Sequence, residues 1–320
     1  MKTKKLAKMM ILVSLGLALA LSPAISIGKE KYEEKFEKTV PLAKDGKVFL
    51  GNVSGDIEVK TWQEEQVKID ALKIAEASSL SRAQEDSKKV TIEVNQEGNV
   101  LRIETKYPDH KGIWGHDSLD VSVYYKVWIP DKATLEIKSV SGDVMAEGAG
   151  ALVGVNVVSG DVVVRGAGQG ADCKTVSGEL TLEGIAGEVD LKSVSGTITI
   201  NRISGSVAAE TVSGDIEIRE ASDAKSLKLK TLSGDIIYQG KVNPNGRYTL
   251  KSHSGDINLV LPSDSAFEFE AETFSGDIKS DFELVVSGKI SPQEVRGVVN
   301  KGGAFISVST FSGDVNLKKI

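Results

Sequence analysis

Apolar and polar residues alternate with a period of two through most of the chain beyond residue 140. In each segment, β-branched or leucine side chains stand at alternate positions, with mostly polar residues between them. The alternation is clearest at 162–164, 180–182, 198–200, 216–218 and 227–231. This period predicts half-buried β-strands, and no helical spacing occurs in the region.

A four-residue motif, most often V-S-G-D, separates these strands. Its ten copies begin at Val53, Val140, Val158, Val176, Val194, Val212, Leu232, His253, Phe274 and Phe311. From Gly142 to Gly214 the glycines are 18 residues apart four times, and the later steps are 20, 21, 21 and 37. A fixed period of this kind predicts a repeat architecture. At about 3.3 Å per residue, one period holds two short strands and two corners.

Two all-β architectures fit this period. In a β-solenoid, equivalent residues stack about 4.8 Å apart and neighbouring strands are parallel. In an antiparallel meander, the Ser-Gly pairs would form hairpin turns. Identical residue types at the same offset favour the solenoid, because valine then stacks on valine and aspartate on aspartate. We therefore predict a single elongated β-solenoid with coils of 18–21 residues.

The glycine and aspartate of the motif are predicted to form the corners. Glycine accepts the positive φ of a sharp turn, and the following carboxylate can accept from nearby backbone N–H groups. The predicted turn residues are Gly142, Asp143, Gly160, Asp161, Gly178, Gly196, Gly214, Asp215, Gly234, Asp235, Gly255, Asp256, Gly276, Asp277, Gly313 and Asp314. The aspartate row could instead bind Ca²⁺, but one carboxylate and one glycine per coil supply few ligand oxygens. We predict turn caps and no metal site.

The region 29–130 is predicted to be an irregular, β-rich N-terminal cap, and the region 131–320 the solenoid. Candidate strands of the cap are 47–50, 57–60, 67–72, 90–94, 100–105 and 121–129, with a short helical insertion near 75–89. Such a cap would cover backbone groups that are unpaired at the open end of a solenoid. Residues 29–37 have mixed charges and are expected to be loosely ordered. Lys318 and Lys319 flank the last strand and are expected to protect an exposed edge.

Residues 1–28 have the layout of a secretory signal peptide. Four lysines between positions 2 and 8 precede an uncharged run from Met9 to Gly28. A basic segment followed by an apolar one predicts export, with cleavage after Ser26 or Gly28. The alternative is an uncleaved membrane anchor, since a run of this length can span a bilayer. In either case the folded region is expected outside the cytoplasm, in the periplasm, at the cell surface or secreted.

Composition narrows the classes of function. The chain has a formal charge of −6, which becomes −10 when residues 1–28 and their four lysines are removed. An acidic chain argues against nucleic-acid binding, which requires a concentrated basic face. One cysteine and three histidines exclude a disulfide scaffold and a Cys/His-rich metal fold. Cys173 is expected to be a small buried apolar residue.

One loop carries residues with binding chemistry: Asp109, His110, Trp114, His116 and Asp117. Histidine and aspartate can ligate metals, but this spacing matches no metal motif. We therefore treat the loop as a candidate binding patch, without a metal or a cofactor.

The histidine that begins one motif, His253, is interpreted as a tolerated substitution for valine. No nucleophile elbow, phosphate loop or zinc-protease helix is present in the sequence. The coils between 142 and 276 also carry no large insertion that could build a cleft. We predict no catalytic residues and no enzymatic activity.

The V-S-G-D-[IV]-x-[IV] repeats resemble a widespread bacterial family of proposed adhesins, envelope proteins with β-strand repeats and unknown function. The segment from Gly51 to Val59 is similar to that family as well, and the resemblance covers about residues 38–320. It implies a right-handed, β-helix-like solenoid and supplies no catalytic residue. The chain departs from the repeat pattern at Glu179 and Thr197, where the motif aspartate is replaced.

Three functions are considered. The first is a non-enzymatic adhesin-like scaffold whose flat faces bind envelope glycan through the stacked residues Thr181, Thr199, Glu217, Lys228 and Lys230. The second is an envelope-stress or signalling accessory that binds a membrane protein through the loop 107–120. The third, a polysaccharide-active β-helix enzyme, is disfavoured because no cleft is predicted. The sequence leaves the ligand and the oligomeric state open.

Overall fold

The computed structural model describes residues 28–108, 119–222, 224–286 and 291–320. The predicted signal segment lies outside these residues, apart from Gly28. The described part forms 27 strands and one helix. In chain order these are β1 Glu30–Pro41, β2 Lys47–Gly51, β3 Ile57–Trp62, β4 Gln66–Ala77, α1 Leu80–Lys89, β5 Thr91–Glu97, β6 Val100–Lys106, β7 Val121–Pro130, β8 Thr134–Ser141, β9 Val144–Glu147, β10 Val153–Ser159, β11 Val162–Arg165, β12 Gly170–Ser177, β13 Leu180–Ala186, β14 Glu188–Ser195, β15 Ile198–Ser204, β16 Val207–Ser213, β17 Ile216–Ala221, β18 Ser226–Ser233, β19 Ile236–Gly240, β20 Arg247–Ser254, β21 Ile257–Leu261, β22 Phe267–Ser275, β23 Ile278–Ser280, β24 Val285–Val286, β25 Glu294–Val299, β26 Ala304–Ser312 and β27 Val315–Lys319.

Successive repeat strands alternate between two sheets. Sheet A has 13 strands in the order β1-β4-β7-β3-β9-β11-β13-β15-β17-β19-β21-β27-β23. Sheet B has 14 strands in the order β24-β25-β22-β26-β20-β18-β16-β14-β12-β10-β8-β2-β6-β5. Within the repeats the strands are parallel, and Leu180 pairs with both Val162 and Ile198, one motif before and one after it. The all-β class with long parallel sheets is therefore confirmed, and the meander is excluded. The right hand of the coil stays a prediction.

The core between the sheets consists of stacked aliphatic rows. Along β13, Leu180 and Leu182 are buried while Thr181 between them is half-buried and faces outward. Their register partners Ile198 and Ile200 are buried in the same way. Burying one such side chain is worth about 1.5–3 kcal/mol. The alternation along each strand thus places one aliphatic row inward on each sheet.

Cys173 belongs to this core, on β12. Its side chain is fully buried, and burial raises the pKa of its thiol to about 12. The reactive form of cysteine is the thiolate, so this thiol stays protonated and inert at neutral pH. Cys173 therefore packs as a small apolar residue.

The coils do not stack in chain order at either end of the solenoid. The coil of β2 and β3 lies between the β6–β7 coil and the β8–β9 coil. The last coil, β26 and β27, lies between β20–β21 and β22–β23. β27 is therefore not an edge strand over Val315–Leu317, where it pairs with both β21 and β23, whereas Lys318 and Lys319 extend beyond β23 and pair with β21 alone. The edge strands at this end are β23 and β24, with three and two residues, which leaves little backbone to pair.

Antiparallel strands close the N-terminal end: β1, β4 and β7 in sheet A, and β5 and β6 in sheet B. The helix predicted near 75–89 begins only at Leu80, because the preceding residues extend β4 as far as Ala77. Ser79 caps the helix by accepting from the backbone N–H of Arg82. Among the described residues, no helix combines the length and apolar character needed to cross a bilayer.

The expectation that residues 29–37 are loosely ordered is wrong, because most of them belong to β1. The strand pairs with β4 in antiparallel register along its full length. Lys73 of β4 is buried, lies 3.0 Å from the Glu34 carboxylate and donates to the carbonyl of Val90. Burial opposes the charge of Glu34, but hydrogen bonds from Lys73 and Ser87 outweigh it and lower its pKa. The ion pair joins β1 to β4, and the Ser87 hydroxyl of α1 donates to the same carboxylate, so the cluster holds the two strands and the helix together.

Candidate functional site

The V-S-G-D motifs stack along one corner of the coils. Ser159 pairs in register with Ser141 of one neighbouring coil and Ser177 of the other. Gly178 has a φ of 147°, and a Cβ added there would overlap the carbonyl oxygen of Gly160. Both features require glycine. A Cβ would meet a neighbouring carbonyl oxygen in the same way at Gly142, Gly160, Gly196, Gly214, Gly234, Gly255, Gly276 and Gly313.

Seven of the motif aspartates, from Asp56 at one end to Asp314 at the other, accept a backbone hydrogen bond at Oδ1 from the neighbouring coil rather than from their own turn. The backbone N–H of Asp161 donates to Oδ1 of Asp143 at 2.9 Å, and Asp161 Oδ1 accepts from the N–H of Glu179 at 2.8 Å. The same bond joins neighbours along the series Asp215, Asp235, Asp256, Asp314 and Asp277. Within the part of the chain that the structure describes, no group of three or more His, Cys, Asp or Glu side chains could hold a metal ion.

Replacing Asp161 tests this ladder of carboxylates. Asp161→Ala removes the acceptor for the Glu179 N–H, and we expect a loss of about 0.5–2 kcal/mol, as for a lost helix cap. Asp161→Asn keeps an acceptor oxygen and should lose less than half as much. Urea denaturation of both variants measures the difference. Equal losses for the two variants would show that the negative charge, and not the hydrogen bond, is what matters.

The first residue of each motif faces solvent, although it is apolar in nine of the ten copies. On β8 the inward positions are Leu135, Ile137 and Ser139, so Val140 falls on the outer face and is exposed. Repetition on every coil produces one continuous row, which we call the ridge. In stacking order the ridge consists of Val53, Val140, Val158, Val176, Val194, Val212, Leu232, His253, Phe311 and Phe274. None of these positions is predicted from the sequence to be functional, although the phase of the alternation already places them opposite the core row.

Three aromatic rings form the C-terminal end of the ridge. His253 stacks on Phe311 with ring centroids 5.0 Å apart, and Phe311 stacks on Phe274 at 4.7 Å with an interplanar angle of 4°. Phe274 is 73% exposed. His253, interpreted from sequence as a tolerated substitution, is therefore part of an aromatic stack that exists only because the last coil inserts between its neighbours.

The other predicted binding residues lie elsewhere. Thr181, Thr199 and Glu217 form an in-register row on the outer face of sheet A, and Lys228 and Lys230 are exposed on sheet B. These two groups are on different sheets and do not form one site. The candidate patch Asp109, His110, Trp114, His116 and Asp117 lies outside the described residues.

A shallow groove of about 750 Å³ lies on the outer face of sheet A near the N-terminal end. Leu72, Tyr124 and Met145 contribute apolar surface to it. Asp56 and Asp143, the first members of the carboxylate ladder, also line it. The groove thus adjoins the corner that carries the ridge.

The stacked coils and the exposed row of motif residues at their corner define the class of this protein. It is a β-strand-repeat protein with an elongated apolar surface row. The chain belongs to the Toastrack DUF4097 family, whose profile matches residues 46–241 and 237–318. This match confirms that the repeats place the chain in a known family of repeat proteins.

Three solved structures are similar to this chain. A proposed cell adhesion protein from Clostridium sporogenes is 12% identical, with 90% of this chain and 100% of that chain covered and a TM-score of 0.29. A proposed adhesin from Bacteroides fragilis is 13% identical, with 88% and 96% covered and a TM-score of 0.35. A proposed lipid-binding protein from Parabacteroides distasonis is 12% identical, with 89% and 97% covered and a TM-score of 0.33. Comparison with curated proteins yields no match.

Proposed function

We propose that this protein is a non-catalytic binding scaffold of the cell envelope, and that it binds envelope glycan along the ridge. The observation that carries the proposal is the uninterrupted row of ten exposed motif residues, one on each of ten neighbouring coils. At about 4.8 Å per coil, nine intervals give the row a length of about 43 Å. An exposed apolar surface this extended is typical of an interaction site.

The chemistry beside the ridge suits a saccharide. Sugar rings have apolar C–H faces and hydroxyl groups at their edges. The ridge offers aliphatic side chains and, at one end, the open ring of Phe274, while the motif serines supply exposed hydroxyl groups next to it. An extended polymer could contact several coils at once, so that weak contacts of one kind add along its length.

The geometry favours binding over hydrolysis. A glycosidase places two carboxylates on either side of the scissile bond, in a cleft. Here the motif carboxylates form a single row at an open corner, and Oδ1 of Asp143, Asp161 and Asp235 already accepts a backbone hydrogen bond. The proposal also includes two further points: that residues 1–28 are a signal peptide that directs export, and that the coil is right-handed.

Binding of residues 29–320 to isolated cell-wall glycan tests the proposal. We expect saturable retention without release of soluble products. Phe274→Ala removes the open ring and should weaken binding about tenfold, equivalent to about 1.4 kcal/mol. Val285→Ala is the matched control, since Val285 is 74% exposed but lies on β24, away from the ridge.

Three results would contradict the proposal. Equal binding by Phe274→Ala and the wild type would exclude the aromatic end of the ridge. Failure to bind glycan, with capture of one membrane protein instead, would favour the envelope-stress or signalling accessory. Release of soluble sugar would favour the polysaccharide-active enzyme.

A further inference from the structure

Among the described residues, the outermost strand at the N-terminal end of sheet A, β1, has one edge with which no other strand pairs, called here the free edge. It has 12 residues and one partner strand, β4. The other edge strands of the described sheets are shorter: seven residues in β5, three in β23 and two in β24. A long free edge presents unpaired N–H and C=O groups to any strand that fits it.

The hydrogen bonds around β1 show which backbone groups face this edge. The N–H of Glu76 on β4 donates to Asp120, on the β7 side, so the adjacent Ala77 directs its backbone towards β1. Ala77 pairs with Glu30, so Glu30 directs its own N–H and C=O groups to β4. The N–H of Leu42, just beyond the end of β1, likewise donates to the carbonyl of Glu65. The backbone groups of the even-numbered residues of β1 therefore point to β4. In antiparallel pairing these directions alternate along the strand. The odd-numbered residues, among them Lys31, Glu33, Lys35 and Glu37, therefore direct their N–H and C=O groups to the free edge.

The sequence of β1 is complementary in charge to its own reverse, with Glu34 at the centre. One residue away on either side stand Glu33 and Lys35, and three residues away stand Lys31 and Glu37. Four residues away stand Glu30 and Lys38, so every lysine has a glutamate at the mirror position. Opposite charges on facing strands favour pairing, and like charges oppose it.

From this free edge and its self-complementary charges, we propose that β1 is the interface for a second copy of this chain. The two β1 strands pair antiparallel about a two-fold axis at Glu34, which joins the two A sheets through their N-terminal ends. Lys31 then faces Glu37 of the second copy, and Glu33 faces Lys35. Such an interface is isologous, because each copy contributes the same residues to it.

The face of β1 that carries the even-numbered side chains supports this register. Tyr32 and Phe36 are half-buried against the core and stand at mirror positions, so Tyr32 of one copy meets Phe36 of the other. Glu34 would face itself, which alone would be unfavourable. Its carboxylate lies 3.0 Å from the Lys73 amine and accepts from Ser87, so that its charge is already compensated within each copy.

Sedimentation of residues 29–320 over a range of concentrations tests the interface, and we expect a monomer–dimer equilibrium. Lys31→Glu creates two facing pairs of like charge and should raise the dissociation constant at least tenfold. The double substitution Lys31→Glu with Glu37→Lys exchanges the two charges and should restore dimerisation. Lys35→Pro removes an N–H from the free edge without breaking a β4 bond, and should abolish the dimer. Its thermal unfolding should match that of the wild type at concentrations where the wild type is monomeric.

A cysteine cross-link tests the register directly. Residue 34 faces itself at a non-hydrogen-bonded position, where Cα atoms lie about 4.5 Å apart, within disulfide range. The native Cys173 is buried, so it should not interfere. With oxidised glutathione, Glu34→Cys should form a covalent dimer and Glu30→Cys, which faces Lys38, should not. A monomer at every concentration would overturn the proposal, as would a dimer indifferent to both Lys31→Glu and Lys35→Pro.

Discussion

Gly178→Ala is expected to destabilise the protein by about 3–5 kcal/mol, the range reached only by severe packing or backbone conflicts. The substituted residue would have to keep a φ of 147°, which side chains rarely adopt, and its Cβ would overlap the carbonyl oxygen of Gly160. That oxygen belongs to the backbone of the neighbouring coil, so it cannot move without disturbing strand pairing. Because each coil rests on its neighbours, the loss should lower the midpoint of the whole transition.

The matched control is Gly154→Ala. Gly154 lies within β10, its φ is unstrained, and the nearest atoms to an added Cβ are 3.7 Å away. This substitution should change stability by less than about 1 kcal/mol and could be stabilising, because it reduces the freedom of the unfolded chain. Urea denaturation monitored by circular dichroism compares the two variants. Similar losses at both positions would mean that the glycine row is not a close-contact corner.

Leu191→Ala is expected to cost about 2–5 kcal/mol, through lost burial and the cavity that remains. Leu191 is fully buried on β14, and its register partners are the smaller residues Cys173 and Ala209. Neither partner is long enough to fill the space that the substitution leaves. The variant should therefore fall at the upper end of this range.

Val194→Ala, three positions along the same strand, is the control for the Leu191 variant. Val194 belongs to the ridge and is 48% exposed, so its replacement should change stability by about 0.5 kcal/mol or less. Thermal or urea unfolding of both variants measures the contrast. A large loss for Val194→Ala would contradict the outward placement of the first motif residue, and with it the ridge.

The repeats of the solenoid could be predicted from the sequence because each repeat has the same local pattern of residues. Alternation predicts strands, a glycine every 18 residues predicts corners, and motif identity predicts parallel stacking in register. The pairing of Leu180 with Ile198 follows from those three features alone. The ridge could have been predicted too, since the phase that directs Ile137 inward directs Val140 outward.

The two ends could not be predicted in this way. The coil that contains Val53 stacks directly on the coil that contains Val140, although the region β4–β7 lies between them in the chain. The coil that contains Phe311 lies between those of His253 and Phe274. All these coils carry the same motif, so any order of stacking satisfies the local pattern. The choice depends on how the antiparallel strands of each end pack, which involves residues far apart in the chain.

What the sequence determined by itself is the repeating unit: strand direction, inward and outward rows, and a corner where glycine is the residue that fits. What the tertiary structure decided is the order of the terminal coils, the aromatic stack of His253, Phe311 and Phe274, and the folding of the mixed-charge segment 30–41 into β1. The physical reason is how far apart in the sequence the interacting residues lie. A period of two and a positive φ are local properties, whereas the position of an end strand depends on contacts such as that between Glu34 and Lys73, which no repeat encodes.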